Sequence, residues 1–178
     1  NPPRPLDAEA YYIRALTYNN LEKYSSAIAD FNKAIALNPK FALAYYDRGN
    51  SYIDLEKYDE AIADYTQATI ISPQFAGAYY NLAITYDKLK NYDKAIANYT
   101  QAINLNPQFF QAYLNRGNTY RNLNDHTKAI ADYTQAITIN PQFVSAYLNR
   151  GITYNNLEQY AEAIADYTKV TNLDPRHV

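Results

Sequence analysis

The chain has 178 residues, 48% of them apolar, a formal net charge of -2 and no cysteine. That is enough apolar material for one domain or one short repeat array, and the charge lacks the clustered cations on which nucleic-acid binders and polybasic membrane-surface modules depend. No disulfide, thiolate nucleophile or cysteine metal site is available, and no apolar run of about 18 residues could span a bilayer. Met is absent, so a piece of a longer protein is the expectation, and Asn1-Pro2-Pro3-Arg4-Pro5 shows no leader pattern. None of this assigns a compartment.

In chain order, residues 1–7 read as the remnant of a preceding repeat or a linker. From residue 8 a 34-residue period begins, giving units 8–41, 42–75, 76–109, 110–143 and 144–177. Pro39, Pro73, Pro107, Pro141 and Pro175 keep this spacing, with Pro5 one period upstream. So do four other columns: Tyr11, Tyr45, Tyr79, Tyr113 and Tyr147; Tyr18, Tyr52, Tyr86, Tyr120 and Tyr154; Ala27, Ala61, Ala95, Ala129 and Ala163; and Phe31, Tyr65, Tyr99, Tyr133 and Tyr167.

Each unit reads as two helices, as the second shows. Ala42, Tyr45, Gly49, Tyr52 and Leu55 fall three or four residues apart and share one helical face. Glu56-Lys57-Tyr58-Asp59 is a polar turn, with Asp59 as the expected cap of the next helix. Ala61, Ile62, Tyr65, Ala68 and Ile71 make the inward face of that helix, and Ser72-Pro73 stops it. Short connections make consecutive helices antiparallel neighbours. Gly49, Gly117 and Gly151 share a column with Ala15 and Ala83. They lie inside helices rather than in a phosphate-cradling loop, so they read as clearance between helices, with the alanine column opposite.

The pattern Tyr45-x-x-Arg48-Gly49-x-x-Tyr52, Ala61-x-x-x-Tyr65 and Pro73 resembles the tetratricopeptide signature. The resemblance covers Ala8 to His177 in five consecutive units. Tyr replaces the family's Trp in all five, and Arg replaces its Leu in four. It implies an all-α, right-handed superhelical solenoid of antiparallel helix pairs.

The arginines change in step with a second column. Arg14, Arg48, Arg116 and Arg150 stand in units that carry Asp30, Asp64, Asp132 and Asp166, whereas the third unit has Leu82 and Asn98. An ion pair between the two helices of each such unit is the expectation, since a guanidinium buried alone is costly. The rival reading, a ligand-gripping arginine, requires no matching acid. His126 stands in the column of Tyr24, Tyr58, Tyr92 and Tyr160 and reads as a packing residue. His177 lies far from it at the end of the array, so no metal site is expected.

In the family the first helices line a concave side that receives a partner segment. Carried over, that lining includes Tyr12, Ile13, Tyr46, Asp47, Asn50, Tyr80, Asn81, Asp87, Asn115, Asn118, Arg121 and Asn149. Asn81, Asn115 and Asn149 recur with the repeat and form an expected ladder of amides able to donate to and accept from an extended backbone. Tyr12, Tyr46 and Tyr80 form a second row. Members that clamp a chaperone's terminal carboxylate need cations where Tyr46, Gln111 and Asn115 stand here, so such tails are not the expected ligand.

A protein or peptide partner held in the groove is therefore the leading function. The alternative is self-assembly through an uncapped last helix, whose outer face would include Ile164, Tyr167 and Leu173. An enzyme is not expected, because no Ser/His/Asp or His-cluster spacing occurs; any chemistry of a parent enzyme would lie elsewhere. No cofactor is expected.

Overall fold

A computed structural model describes residues 5–174, and Pro175 and His177 lie outside the described residues. Among those described, the structure is ten helices with no strand: α1 (Pro5–Asn20), α2 (Tyr24–Leu37), α3 (Ala42–Asp54), α4 (Tyr58–Ile71), α5 (Ala76–Lys88), α6 (Tyr92–Leu105), α7 (Phe110–Asn122), α8 (His126–Ile139), α9 (Val144–Asn156) and α10 (Tyr160–Leu173). Odd-numbered helices open a repeat and even-numbered ones close it. The fold is all-α, as the period implied. The chain forms two compact units, Asn1–Tyr86 and Asp87–Val178. In the first, α1 packs on α2, α2 on α3 and α3 on α4; in the second, α6 packs on α7, α7 on α8, α8 on α9 and α9 on α10.

The turn inside a repeat is set by one left-handed residue. Glu22, Glu56, Lys90, Asn124 and Glu158 all have φ between 57° and 60°. After α3 the Glu56 N–H donates to the Ile53 carbonyl (2.9 Å) and the Lys57 N–H to the Tyr52 carbonyl (2.8 Å). This crossed pair satisfies carbonyls that a helix end otherwise leaves open. α4 then starts at Tyr58, with Lys57 in the cap position and no side-chain cap bond. Asp59 thus lies inside the first turn, where its charge meets the positive end of the helix dipole, and is not the cap expected from sequence. Asp125 before α8 does cap, its carboxylate accepting from the Lys128 N–H. α4 ends at Ile71, and Ser72 turns extended (φ -127°, ψ 84°) ahead of Pro73.

The cores are built from the repeated columns. Ala27, Ala61, Ala95 and Ala129 are fully buried, as are Phe31, Tyr65, Tyr99 and Tyr133. Gly49, Gly117 and Gly151 face the aromatic column more closely than the alanine column expected to lie opposite. A β-carbon added at Gly49 would sit 2.7 Å from Tyr65 Cε1, and one at Gly117 would sit 2.7 Å from Tyr133 Cε1. The ring therefore lies directly on the helix backbone. In the first repeat, where Ala15 fills this column, the aromatic residue is the smaller Phe31, and both belong to one core cluster.

His126 is half-buried in the tyrosine column, with its Nδ1 buried and without a hydrogen-bond partner. An orphaned buried nitrogen costs about 1–3 kcal/mol. His126→Tyr restores the residue of the other repeats and is expected to raise stability by about 1 kcal/mol. Urea denaturation checks it; an unchanged or lowered midpoint would show that the imidazole is satisfied.

Candidate functional site

The structure brings the Arg and Asp columns together in four repeats. Arg48 donates from Nε and Nη2 to the two oxygens of Asp64 at 2.7 and 2.6 Å. Arg116 reaches Asp132 at 2.8 Å by both bonds, and Arg150 reaches Asp166 at 2.8 and 2.7 Å. Arg14 reaches Asp30 at 2.5 and 2.9 Å. These hydrogen bonds, more than any other influence, hold the Asp30 carboxyl below its usual range.

A third bond, not foreseen from sequence, runs from Nη1 to the preceding repeat: Arg48 to Asn32 (2.5 Å), Arg116 to Thr100 (2.9 Å) and Arg150 to Thr134 (2.9 Å). Each guanidinium also lies over two tyrosines of its own helix; Arg48 is 5.5 Å from the Tyr45 ring centre and 5.9 Å from that of Tyr52. Arginines so engaged join three helices and have little left for a ligand.

The face of the odd-numbered helices carries a different set of groups. In the first unit, Tyr12 donates to Asp47 (2.7 Å), Asn50 donates to Asp47 (3.2 Å), and the Asn50 Oδ1 accepts from Tyr65 (2.7 Å) and from Asn81 (3.0 Å). Asn81 Nδ2 also donates to the Tyr46 hydroxyl (3.0 Å). Six side chains from α1, α3, α4 and α5 are thereby fixed relative to one another. Tyr12, Tyr46, Asp47, Asn50 and Asn81 are half-buried. The tyrosine row is partly core: Tyr12 packs on Phe41 (4.7 Å) and Phe31 (5.9 Å), and Tyr46 on Phe75 (4.7 Å) and Tyr65 (5.8 Å). Tyr80 is half-buried on α5.

Burial pushes the Tyr12 phenol well above its ordinary value, and the neighbouring Asp47 adds to this. It also raises the Asp47 carboxyl, partly offset by bonds from Tyr12 and Asn50. A carboxyl raised in the folded state contributes stability that is fully present below its unfolded value of about 3.9 and lost as pH rises through the folded value. Asp47→Asn is therefore expected to match the parent in acid and to become increasingly more stable than it toward neutral pH. Denaturation midpoints across that range check this; an advantage independent of pH would contradict it.

In the second unit Asn118 Oδ1 accepts from Tyr133 (2.9 Å), as Asn50 does from Tyr65, and burial lifts the Tyr133 phenol to about 12. Arg121 Nη1 approaches Asn149 Oδ1 at 3.4 Å, and Asn115 is half-buried on α7. Thr119 donates to Asp87 (2.8 Å), the counterpart of Ser51 donating to Asn19 (2.9 Å) in the first unit. The hydroxyl column behind these bonds, Ser51, Thr85, Thr119 and Thr153, is buried, and its 34-residue spacing is the signal that marks it in the sequence.

A shallow recess of about 400 Å³, lined by Leu89, Lys90, Asn91, Tyr92, Asp93 and Leu123, lies among the turns and includes none of these residues. Among the described residues no group of three or more His, Cys, Asp or Glu side chains could hold a metal ion, and no helix is long and apolar enough to cross a membrane.

The solved structures most similar to the chain include a MamA protein (24% identical, TM-score 0.88, covering 96% of this chain and 93% of that one). MamA from Desulfovibrio magneticus RS-1 is 18% identical, with TM-score 0.88 over 95% of this chain and 96% of that one. YrrB, described as a TPR protein with an unusual peptide-binding site, is 26% identical, with TM-score 0.81 over 96% of this chain and 88% of that one. No curated protein sequence matches. The tetratricopeptide repeat model matches residues 8–41, 76–109, 110–143 and 144–177, and further TPR models match 31–63 and 49–90. The chain belongs to the tetratricopeptide repeat family, whose members are protein-interaction scaffolds.

Proposed function

We propose that the chain binds an extended peptide segment of a partner protein on the face of its odd-numbered helices. The observation that carries this reading is the hydrogen-bonded set of Tyr12, Asp47, Asn50, Tyr65, Asn81 and Tyr46. Half-buried polar side chains locked in place lose little further freedom when a ligand arrives. Asn81 donates twice through Nδ2, so its carbonyl oxygen remains to accept from a peptide N–H. Asn115 and Asn149 hold the same repeat position on α7 and α9. The half-exposed rings of Tyr12 and Tyr46 add apolar area beside the polar groups, a combination that favours backbone reading with modest side-chain preference. The peptide-binding site named for YrrB supports the same class of ligand.

A peptide array tests this. The variant Asn81→Ala/Asn115→Ala/Asn149→Ala removes about 0.5–1.5 kcal/mol for each hydrogen bond lost, so capture is expected to weaken roughly tenfold or more. Undiminished capture by the triple variant would exclude the asparagines as ligand contacts.

A further inference from the structure

The column of the asparagine ladder continues upstream of Asn81 with a change of chemistry. The same repeat position is held by Asp47 in the second repeat and by Ile13 in the first, so the column reads Ile13, Asp47, Asn81, Asn115 and Asn149. Asp and Asn match in size and shape. They differ in charge and in what they offer a ligand, because a carboxylate only accepts and an amide also donates.

The first unit uses that difference. Asn81 Nδ2 donates to the Tyr46 hydroxyl, whereas one repeat earlier the Tyr12 hydroxyl donates to Asp47. The two bonds join the same pair of repeat positions and run in opposite directions. The amides follow suit: Asn81 donates to Asn50, and Asn50 donates to Asp47. The set thus runs toward one carboxylate. Each of its oxygens accepts one bond, about half of what an ionised carboxyl can take.

Asp30, Asp64, Asp132 and Asp166 each hold an arginine. Asp47 is half-buried as well, but among the described residues its bonds come from neutral groups. Its neighbour Arg48 is committed to Asp64 and Asn32, and Arg14 on α1 to Asp30. Asp54 adds an exposed negative charge about two turns further along α3, and Asp54 and Asp47 both push the Tyr65 phenol upward. The half-exposed rings of Tyr12 and Tyr46 stand beside the carboxylate, and aromatic faces attract cations. Burial lifts the Asp47 carboxyl, so its charge costs the free chain stability that a bound cation would return.

We propose that the bound peptide places a lysine or arginine side chain against Asp47, beside the Tyr12 and Tyr46 rings, an inference that rests on the peptide-binding reading above. The amides then read backbone, and the one carboxylate in their column reads charge.

Peptides captured on the array test this. They are resynthesised acetylated and amidated, so that only side chains carry charge, with Lys, Ala or Glu placed at each position in turn. Binding to the whole chain is followed by fluorescence anisotropy, beside the variants Asp47→Asn and Asp59→Asn. Asn stands in this column in three other repeats, and circular dichroism confirms that both variants are folded. Asp59 is exposed on α4, so its loss changes the net charge equally on an even-numbered helix. At one peptide position the parent is expected to bind Lys roughly tenfold more tightly than Ala. Asp47→Asn is expected to abolish that preference while still binding the Ala peptide, and Asp59→Asn to keep it. Binding indifferent to charge overturns the inference and leaves the backbone-reading site standing, as does a preference that Asp47→Asn retains or Asp59→Asn also loses. A parent that binds no peptide overturns both.

Discussion

Asp132→Ala is expected to cost the chain about 3 kcal/mol, within the range for breaking a buried ion pair by removing one partner. The Arg116 side chain is only 16% exposed, and two of its three hydrogen bonds go to Asp132. Without the acid, the guanidinium keeps Thr100 and the faces of Tyr113 and Tyr120 but no counter-charge. The third repeat carries a different solution, with Leu82 5% exposed and Asn98 donating to its own helix at Lys94. Arg116→Leu/Asp132→Asn copies it and is expected to fall within about 1 kcal/mol of the parent, since buried pairs often exchange for apolar groups at little cost. Urea denaturation of both variants decides the matter. A double variant as unstable as Asp132→Ala would mean that the Arg116 link to Thr100 matters more than the charge.

Tyr65→Ala is expected to cost about 3–5 kcal/mol, the range for emptying an aromatic site in a packed core. The ring is 1% exposed, and it lies where a β-carbon on Gly49 would stand. Little can move in to fill the space, because α3 already approaches as closely as its backbone allows. Tyr65→Phe keeps the ring and loses only the bond to Asn50, so about 1 kcal/mol is expected; Phe31 occupies this column naturally in the first repeat. The two variants separate stability from binding. Tyr65→Phe should fold and yet weaken peptide capture, because Asn50 loses one of the three bonds that orient its amide.

Most of the fold was legible because the sequence states it five times over. A column such as Ala27, Ala61, Ala95, Ala129 and Ala163 reports burial far more firmly than any one alanine does. The substitution of Leu82 and Asn98 in a single repeat marked the Arg and Asp columns as a pair. What the pattern could not give was direction within a turn. Asp59 fitted a capping rule, but a left-handed Glu56 closes α3 and places the start of α4 at Tyr58. The glycine column could be read as clearance, but not that an aromatic ring fills it.

The sequence defines the candidate site as a set of positions and not as a set of bonds. Asn81 was expected to face a ligand with its whole amide, yet its nitrogen is committed to Tyr46 and Asn50. The tyrosine row is half core, because Phe41 and Phe75, at the ends of the same repeats, fold back onto Tyr12 and Tyr46. Periodicity fixes which residues share a face; which hydrogen bonds they form depends on packing between repeats.

Amide chemical-shift mapping on the isotopically labelled chain, titrated with a peptide selected from the array, tests ligand binding on the odd-numbered helices most directly. The largest changes are expected at Tyr46, Asn50, Asn81 and Asn118. Changes confined to the exposed alanines of the even-numbered helices, Ala29, Ala63, Ala97 and Ala131, would contradict it.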